Sequence, residues 1–264
     1  MGEVIGILSL KGGVGKTSTA VALGAAIAGF DKKVLLIDGN LSAPNLGLYL
    51  NILEPKVTIH DILERRANTK SAIQSLDFFD VIPASISDRN IVNPLKLRDR
   101  IKLLKKKYDF IILDSSPSLN EETLAVMLAS DKLIVVTTAD YPTLRITMKA
   151  INMAKRRGTP IAGLVLNKVY NKKFELPISE IERISEVPVM AVIPHDIDVL
   201  RALAEFTPST SYKPKSEASI EYKKLAASLI GEKYRRPFRI RYIFRFSPKK
   251  QDVNREIYYE SVFG

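Results

Sequence analysis

Cysteine is absent from the 264 residues of the sequence. These residues therefore contain no disulfide bond, no thiolate metal site and no cysteine nucleophile. The length is enough to bury a large core, and it fits one α/β domain with an appendage better than two full domains.

Long hydrophobic runs are absent as well. The longest apolar stretch, Ala20 to Phe30, is too short to cross a bilayer. The sequence also lacks the pattern of a signal peptide. We therefore expect a cytoplasmic protein, and peripheral attachment to the membrane or the nucleoid stays open.

Acidic residues are fewer than basic ones. The sequence has 29 Asp and Glu and 40 Lys and Arg, which gives a net charge of +11. Such an excess favours polyanionic partners, either nucleic acid or an anionic membrane surface. Residues 232–264 carry +5 of this charge and residues 1–231 carry +6. We predict a main domain at 1–231 and a basic, aromatic C-terminal extension at 232–264.

The predicted extension contains the stretch "FRIRYIFRFS" at residues 238–247. Its apolar and cationic residues alternate with a period of two, which predicts a strand with one apolar and one cationic face. This strand either packs as an edge strand on the body or attaches the protein to a membrane or a nucleic acid.

Glycines cluster in "LSLKGGVGKTSTA" at residues 8–20, between an apolar, strand-like run and an alanine-rich, helix-like one. Glycine tolerates positive φ, so the backbone N–H groups can approach an anion at the helix N-terminus. In such a loop Lys16 reaches the β- and γ-phosphates and the Thr17 hydroxyl binds Mg²⁺. The alternative is a glycine turn with an incidental lysine.

Strand-like and helix-like segments alternate along the chain, which predicts a doubly wound, mostly parallel sheet flanked by helices, the fold of P-loop NTPases. Ligands bind such sheets at the carboxyl ends of the strands. Beyond the first strand and helix, the predicted strands are "KVLLID", "FFDVIPA", "YDFIILD", "KLIVVTT", "PIAGLVLN" and "VPVMAVIP", and the predicted helices are "TIHDILERR", "NEETLAVMLAS", Pro94 to Lys107, Leu144 to Arg157, a short one before the last strand, and Glu217 to Ile230.

The loop departs from the general pattern G-x-x-x-x-G-K-[ST], since Leu10 occupies the first glycine position and Lys11 follows it. The form K-G-G-V-G-K-T resembles the deviant Walker A motif of the MinD/ParA family of P-loop ATPases. By this resemblance Lys11 reaches the nucleotide held by the partner subunit of an ATP-dependent homodimer; otherwise it is solvated or serves its own nucleotide. The residues assigned to the nucleotide are Lys11, Gly12, Gly13, Val14, Gly15, Lys16, Thr17 and Ser18.

Further segments resemble the same family across about residues 3–231. "NLGLYL" at 45–50 is similar to MinD, whereas the segment from Asp114 to Asp131, which ends in "PSLNEETLAVMLASD", is more similar to ParA. The choice between the two therefore stays open. Nitrogenase iron protein and the Mrp-type iron–sulfur carriers share the deviant loop, but they need cysteines and are excluded.

Two aspartates close neighbouring apolar strands, Asp38 in "LLID" and Asp114 in "FIILD". Asp114 resembles a Walker B aspartate and Asp38 the first switch I aspartate of the family, so both join Thr17 as predicted Mg²⁺ ligands. The alternative for each is a helix cap or turn residue. The family's second switch I carboxylate is replaced here by Asn40, which can orient water but cannot accept a proton. The predicted catalytic residues are Lys11, Lys16, Asp38 and Asn40.

The adenine pocket is assigned by resemblance alone. "LNK" at 166–168 is similar to the family's strand-end segment whose asparagine contacts adenine, and "IPHD" at 193–196 is similar to the second wall of that pocket. The predicted base-pocket residues are Asn167, Lys168, Pro194 and Asp196, while His195 is expected to pack or hydrogen-bond there.

Two functions follow from the resemblance. The first is an ATP-dependent dimerisation switch that hydrolyses ATP slowly and controls attachment to a membrane or DNA, in division-site placement or DNA partition, with an unidentified activator protein. The second is a tyrosine-kinase-like phosphotransferase on the same scaffold, for which Tyr258 and Tyr259 would be candidate acceptors.

Overall fold

Eight strands form a single sheet in the computed structural model, which describes residues 1–88 and 92–234. Their order is β3-β4-β2-β5-β1-β6-β7-β8, and all neighbours are parallel except the antiparallel pair β3 and β4. The strands are β1 Glu3–Leu8, β2 Val34–Gly39, β3 Gln74–Ser75, β4 Asp80–Ile82, β5 Phe110–Ser115, β6 Lys132–Thr137, β7 Ile161–Val169 and β8 Val189–Pro194.

Helices cover both faces of the sheet, as the unbroken apolar runs of its central strands require. On one face α1 and α10 pack through residues such as Leu23 and Tyr222. On the other face lie α3 to α7, with Leu144 and Ile151 in the core. The predicted doubly wound α/β fold is therefore confirmed. The helices are α1 Lys16–Ala28, α2 Leu46–Tyr49, α3 Ile59–Leu63, α4 Leu97–Ile101, α5 Glu121–Ala129, α6 Tyr141–Arg157, α7 Ile178–Ser185, α8 Ile197–Ala204, α9 Ser209–Tyr212 and α10 Glu217–Ile230.

The prediction of one charged helix from Pro94 to Lys107 is wrong. Only α4 is α-helical there, between 3-10 turns at Pro94–Lys96 and Lys102–Lys106. The segment is tightened at its end, where the N–H of Lys107 donates to the carbonyl of Leu104 at 2.8 Å, and 3-10 turns of this kind are frequent at the ends of α-helices. The carbonyl of Lys105, which a helix ending here leaves without an intrahelical partner, accepts the N–H of Gly2 instead.

Two other predicted boundaries also move. Helix α6 begins at Tyr141, three residues before the predicted start, because Asp140 caps it and Pro142 fits its first turn. The strand predicted from "FFDVIPA" shrinks to β4. The predicted bounds of α10 are confirmed.

Helix α10 ends at Ile230 and is capped by Gly231, whose φ of 74° lies in the left-handed region. The predicted strand at 238–247 lies outside the described residues, so the boundary at 231 and the extension stay predictions. Among the helices of the described ranges, none is both long and apolar enough to cross a membrane.

Candidate nucleotide-binding site

The glycine loop joins the end of β1 to the start of α1, at the carboxyl edge of the sheet. Gly13 and Gly15 have φ of 77° and 91°, a conformation that other residues rarely adopt. Gly15 is also the N-cap of α1 and brings no side chain to the helix end. The first N–H groups of α1 are therefore available to an anion, and the helix dipole favours it.

Two residues at the end of β7 donate hydrogen bonds to backbone carbonyls of the glycine loop. Asn167 donates its amide N–H to the carbonyl of Val14 at 2.7 Å, and Lys168 Nζ donates to the carbonyl of Gly13 at 2.7 Å. A Cβ on Gly15 would lie 2.1 Å from Asn167 Nδ2. Asn167 and Lys168 thus shape the phosphate loop itself, a role that the sequence does not reveal.

Lys16, Thr17 and Asp114 meet directly beneath the loop. Lys16 Nζ lies 2.8 Å from Asp114 Oδ1, and Thr17 Oγ1 donates to Asp114 Oδ2 at 2.6 Å. All three residues are buried, and the two side chains on α1 each bond one oxygen of the carboxylate on β5.

This arrangement fits a nucleotide with Mg²⁺. A threonine hydroxyl beside a carboxylate supplies the oxygen ligands that Mg²⁺ prefers. No group of three or more His, Asp or Glu side chains suited to a metal occurs within 1–88 and 92–234. A magnesium ion here would thus complete its shell with phosphate and water oxygens, as is usual at nucleotide sites.

Asp38 lies beside Asp114, since the two residues are paired in the register of β2 and β5. It is fully buried and accepts backbone N–H groups from Asn40, Asn45 and Leu46 at 3.0–3.2 Å. Burial, and next the charge of Asp114, raise the pKa of Asp38 to about 7. Asp38 can therefore gain or lose a proton near neutral pH.

Asn40 follows β2 directly and is 1% exposed. Its amide nitrogen donates to the carbonyl of Ala43, while its Oδ1 is buried without a hydrogen-bond partner among the described residues. A buried acceptor without a partner is uncommon in folded proteins. The amide oxygen is thus free to accept from a water molecule at this site.

Lys11 lies on the other side of the loop and is 41% exposed. Its Nζ donates to Thr143 Oγ1 at 2.6 Å and lies 3.9 Å from Asp140 Oδ1. Burial opposes ionisation of Asp140, but hydrogen bonds from Thr138 and Thr143, together with the charge of Lys11, lower its pKa. Lys11 is therefore held at the N-terminus of α6 by an ionised carboxylate and a hydroxyl.

A cavity of about 420 Å³ opens beside the loop and joins it to the predicted base pocket. His195 stacks on Tyr170, with ring centroids 4.5 Å apart, and Asp196 caps α8 through the N–H of Asp198. The predicted residues that line the cavity are Lys11, Gly12, Gly13, Val14, Gly15, Lys16, Thr17, Ser18, Asn167, Lys168, Pro194 and Asp196.

Sequence reasoning misses part of this lining. Tyr170 comes from the loop after β7, Tyr49 from α2, and Val199, Leu200 and Leu203 from α8. The apolar spacing of "IDVLRALA" could have indicated a helix with one face turned to the cavity. The single aromatic positions carry no such signal.

A family model described as an AAA domain matches residues 2–159, the part of the chain that contains the glycine loop, Asp38, Asn40 and Asp114. An uncharacterised ATP-binding protein of Methanocaldococcus jannaschii is 36% identical, over 89% of this chain and 90% of its own. The septum site-determining protein MinD of Bacillus subtilis is 30% identical, over 88% of this chain and 90% of its own. The sporulation initiation inhibitor Soj of the same organism is also 30% identical, over 86% of this chain and 97% of its own.

The solved structures that resemble this one indicate the same family as these relatives. The cell division ATPase MinD of Pyrococcus furiosus superposes with a TM-score of 0.83 at 35% identity, over 87% of this chain and 99% of that one. MinD of Pyrococcus horikoshii, complexed with Mg-ADP, gives 0.82 at 33% identity, over 87% and 96%. Together with the glycine loop and its two aspartates, these likenesses place the chain in the MinD/ParA family of P-loop ATPases.

Proposed function

We propose that this protein is a slow ATPase that works as a nucleotide switch, in which ATP closes two copies face to face and hydrolysis lets them part. The observation that carries the proposal is the meeting of Lys16, Thr17 and Asp114 beneath a glycine loop that opens into a cavity. This donor set suits a phosphate chain with a divalent cation.

The ligands are ATP or ADP with Mg²⁺, as the Mg-ADP complex of the Pyrococcus horikoshii relative supports. Thr17 and Asp114, with Asp38 beside them, would hold the cation. Bound Mg²⁺ neutralises charge that develops on the phosphate oxygens. Lys16 must release Asp114 to reach a phosphate, and this exchange stays within a buried, low-dielectric site where charge-assisted hydrogen bonds are strong.

Slow hydrolysis follows from the residues after β2. Asn40 Oδ1 can accept a hydrogen bond from the attacking water and orient it, but an amide cannot take the proton. Asp38, whose carboxylate accepts the backbone N–H of Asn40, is the neighbouring carboxylate that can do so. Its three backbone N–H bonds hold it in place, which limits how far it can move towards the water.

The dimer depends on Lys11. In the single subunit this lysine binds Thr143, and its partial exposure lets it exchange that contact for another one. A triphosphate crowded between two subunits needs cations from both sides, and charge-assisted contacts to phosphate are strong. Lys11 therefore reaches the nucleotide of the partner subunit when the two copies close.

The closed dimer controls attachment to a polyanionic surface, either an anionic membrane or DNA. This suggestion is supported by the net charge of +11 and by the septum-site protein MinD among the relatives. The cellular process is division-site placement or DNA partition, and an activator protein stimulates hydrolysis. The tyrosine-kinase alternative gains no support from these relatives, and Tyr258 and Tyr259 lie outside the described residues.

The test is the mass of the full chain by size-exclusion chromatography with light scattering, in Mg²⁺ with ATP, with ADP and without nucleotide. We expect a dimer with ATP and monomers otherwise. In parallel, the protein is co-sedimented with anionic liposomes and with plasmid DNA. A protein that binds ATP and stays monomeric would overturn the switch, and labelled phosphate retained on tyrosine would support the kinase.

A further inference from the structure

Helix α6 carries most of the excess positive charge of residues 1–231. It contains five cations and no acidic residue within Tyr141–Arg157, whereas residues 1–231 have a net charge of only +6. Helices on the surface of a globular domain usually mix both signs of charge. The composition of α6 therefore calls for a cause other than solubility. Its cations are Arg145, Lys149, Lys155, Arg156 and Arg157.

The exposed side of α6 forms a continuous strip. Its members share the spacing of one helical face, with steps of three or four residues, and all are exposed. Arg145 and Arg156 are about 16 Å apart along the axis, from the rise per residue of an α-helix. The opposite side is buried through residues such as Leu144 and Ile151. The strip, called the α6 strip below, consists of Tyr141, Arg145, Lys149, Asn152 and Arg156.

Ion pairs among the described residues do not account for the cations of the α6 strip. Lys155 pairs with Glu186 at 2.8 Å, but Arg145, Lys149 and Arg156 have no carboxylate partner in the part of the chain that the structure describes. The helix dipole favours cations only in the last turn, which explains Arg156 but not Arg145 or Lys149. The Arg145 guanidinium lies 5.7 Å from the centroid of the Tyr141 ring, and this cation–π contact orients it along the surface.

We propose that the α6 strip binds the phosphate backbone of duplex DNA, an inference that rests on the proposed function and names its attachment surface. Three cations spread along a straight helix match the repeated negative charges of a duplex. A membrane suits the strip less well, because interfacial helices bury large apolar side chains in the lipid. The only large hydrophobic side chain of the strip is Tyr141, and Leu144 and Ile151 on the opposite side of α6 are buried in the core.

The location of the strip links it to the nucleotide. Helix α6 begins at Asp140, and Asp140 and Thr143 are the groups that hold Lys11. When Lys11 moves to a partner's nucleotide, the helix that bears the strip loses a contact at its first turn, and dimerisation doubles the number of strips. DNA binding is therefore expected to be tighter with ATP than with ADP.

The experiment measures binding of the full chain to a fluorescent, random-sequence 24-base-pair duplex by anisotropy, with ATP and Mg²⁺, at several salt concentrations. The strip variant is R145A/K149A/R156A. The matched control is K56A/K70A/K107A, which removes three exposed cations from other elements. A third variant, R145K/R156K, keeps the charge. The mass of the ATP-bound form and the melting temperature are measured for each protein.

We expect the strip variant to bind DNA at least about tenfold more weakly, with a salt slope reduced by about 3, since each lost phosphate contact lowers the slope by about 1. The control and the lysine variant should stay within about threefold of wild type. Equal losses of DNA affinity in the strip variant and the control would overturn the inference. So would a wild type that does not bind DNA, or a strip variant that loses binding only to anionic liposomes. Strip-dependent DNA binding by a protein that does not dimerise with ATP would instead refute the switch alone.

Discussion

Lys11 Nζ donates a hydrogen bond to Thr143 Oγ1 at 2.6 Å, between residues that are 132 positions apart in the sequence. Thr143 also donates to the Asp140 carboxylate at 2.7 Å, and the same carboxylate caps α6. The lysine that the family resemblance assigns to a partner's nucleotide is thus bound within its own subunit. In the proposed switch this contact must break when two copies close, so the contact favours the open monomer.

Replacing Thr143 by Val should favour the dimer, because the hydroxyl that holds Lys11 is removed while the side-chain volume is kept. A hydrogen bond between a half-exposed lysine and a buried hydroxyl contributes about 1 kcal/mol net, so the ATP concentration at half-dimerisation should fall by up to about fivefold. Light scattering during an ATP titration measures it. T143S keeps the hydroxyl and should match wild type, and an unchanged midpoint in T143V would show that the contact does not restrain Lys11.

Replacing Lys11 by Ala should separate binding from dimerisation. ATP affinity should change by less than about threefold, because Lys16 and the loop N–H groups remain, whereas the ATP-dependent dimer should be lost. Fluorescent-nucleotide titration and light scattering measure the two effects. K70A, an exposed lysine outside the site, is the control. A K11A protein that dimerised normally with ATP would refute the role in trans.

Replacing Lys16 by Ala should abolish nucleotide binding and also destabilise the protein without nucleotide. The change leaves the buried Asp114 without its cation, which typically costs about 3–5 kcal/mol. Urea unfolding at neutral pH measures this loss in the free energy of unfolding. The double variant K16A/D114N removes the uncompensated charge and should recover part of the stability without restoring binding. Equal stability of K16A and wild type would show that the pair contributes nothing to folding.

The fold was largely predictable from the sequence, because the central strands are apolar runs buried on both faces and the last helix has clear end signals at Ser216 and Gly231. The region from 94 to 107 was not. Its buried residues Leu97, Ile101 and Leu104 have helical spacing, and this spacing does not distinguish one long α-helix from a short one flanked by 3-10 turns.

The candidate site was also only partly predictable from the sequence. The residues of the glycine loop are contiguous in the sequence and carry a motif, so the loop's place between β1 and α1 could be predicted. The contacts of Lys11 with Thr143 and of Asn167 with the Val14 carbonyl join distant segments. They depend on the order of the strands in the sheet, which places β7 close to β1 through β6. No local pattern encodes such contacts.

Stability without nucleotide should fall as pH rises from about 4 to 7. Asp38 has its pKa raised from 3.8 to about 7, so the folded state binds a proton that the unfolded state has already lost, and raising the pH removes it at a cost to the folded state. The size is a few kcal/mol at most. His60, whose pKa is lowered by burial, acts in the opposite direction below about pH 6.5.

Comparison with D38N isolates the aspartate, because His60 is common to both proteins. The difference in the free energy of unfolding between wild type and D38N, measured by urea at several pH values, should change in favour of D38N as the pH rises. A constant difference from pH 4 to 8 would contradict the raised pKa.

Replacing Asn40 by Asp should speed hydrolysis and weaken the fold in the absence of nucleotide. The new carboxylate could take the proton of the attacking water, and general-base assistance contributes about 10²–10⁴-fold, with the lower end expected because phosphoryl transfer depends mainly on positioning and electrostatics. The carboxylate would also be buried beside Asp38 and near Asp114, which should lower stability by about 1–3 kcal/mol. Single-turnover hydrolysis and urea unfolding measure the two effects. N51D adds the same charge at an exposed position that does not line the nucleotide cavity and should change neither by much. If N40D is destabilised but hydrolyses ATP no faster, the buried amide is there to limit charge around Asp38, and the slow turnover has another cause.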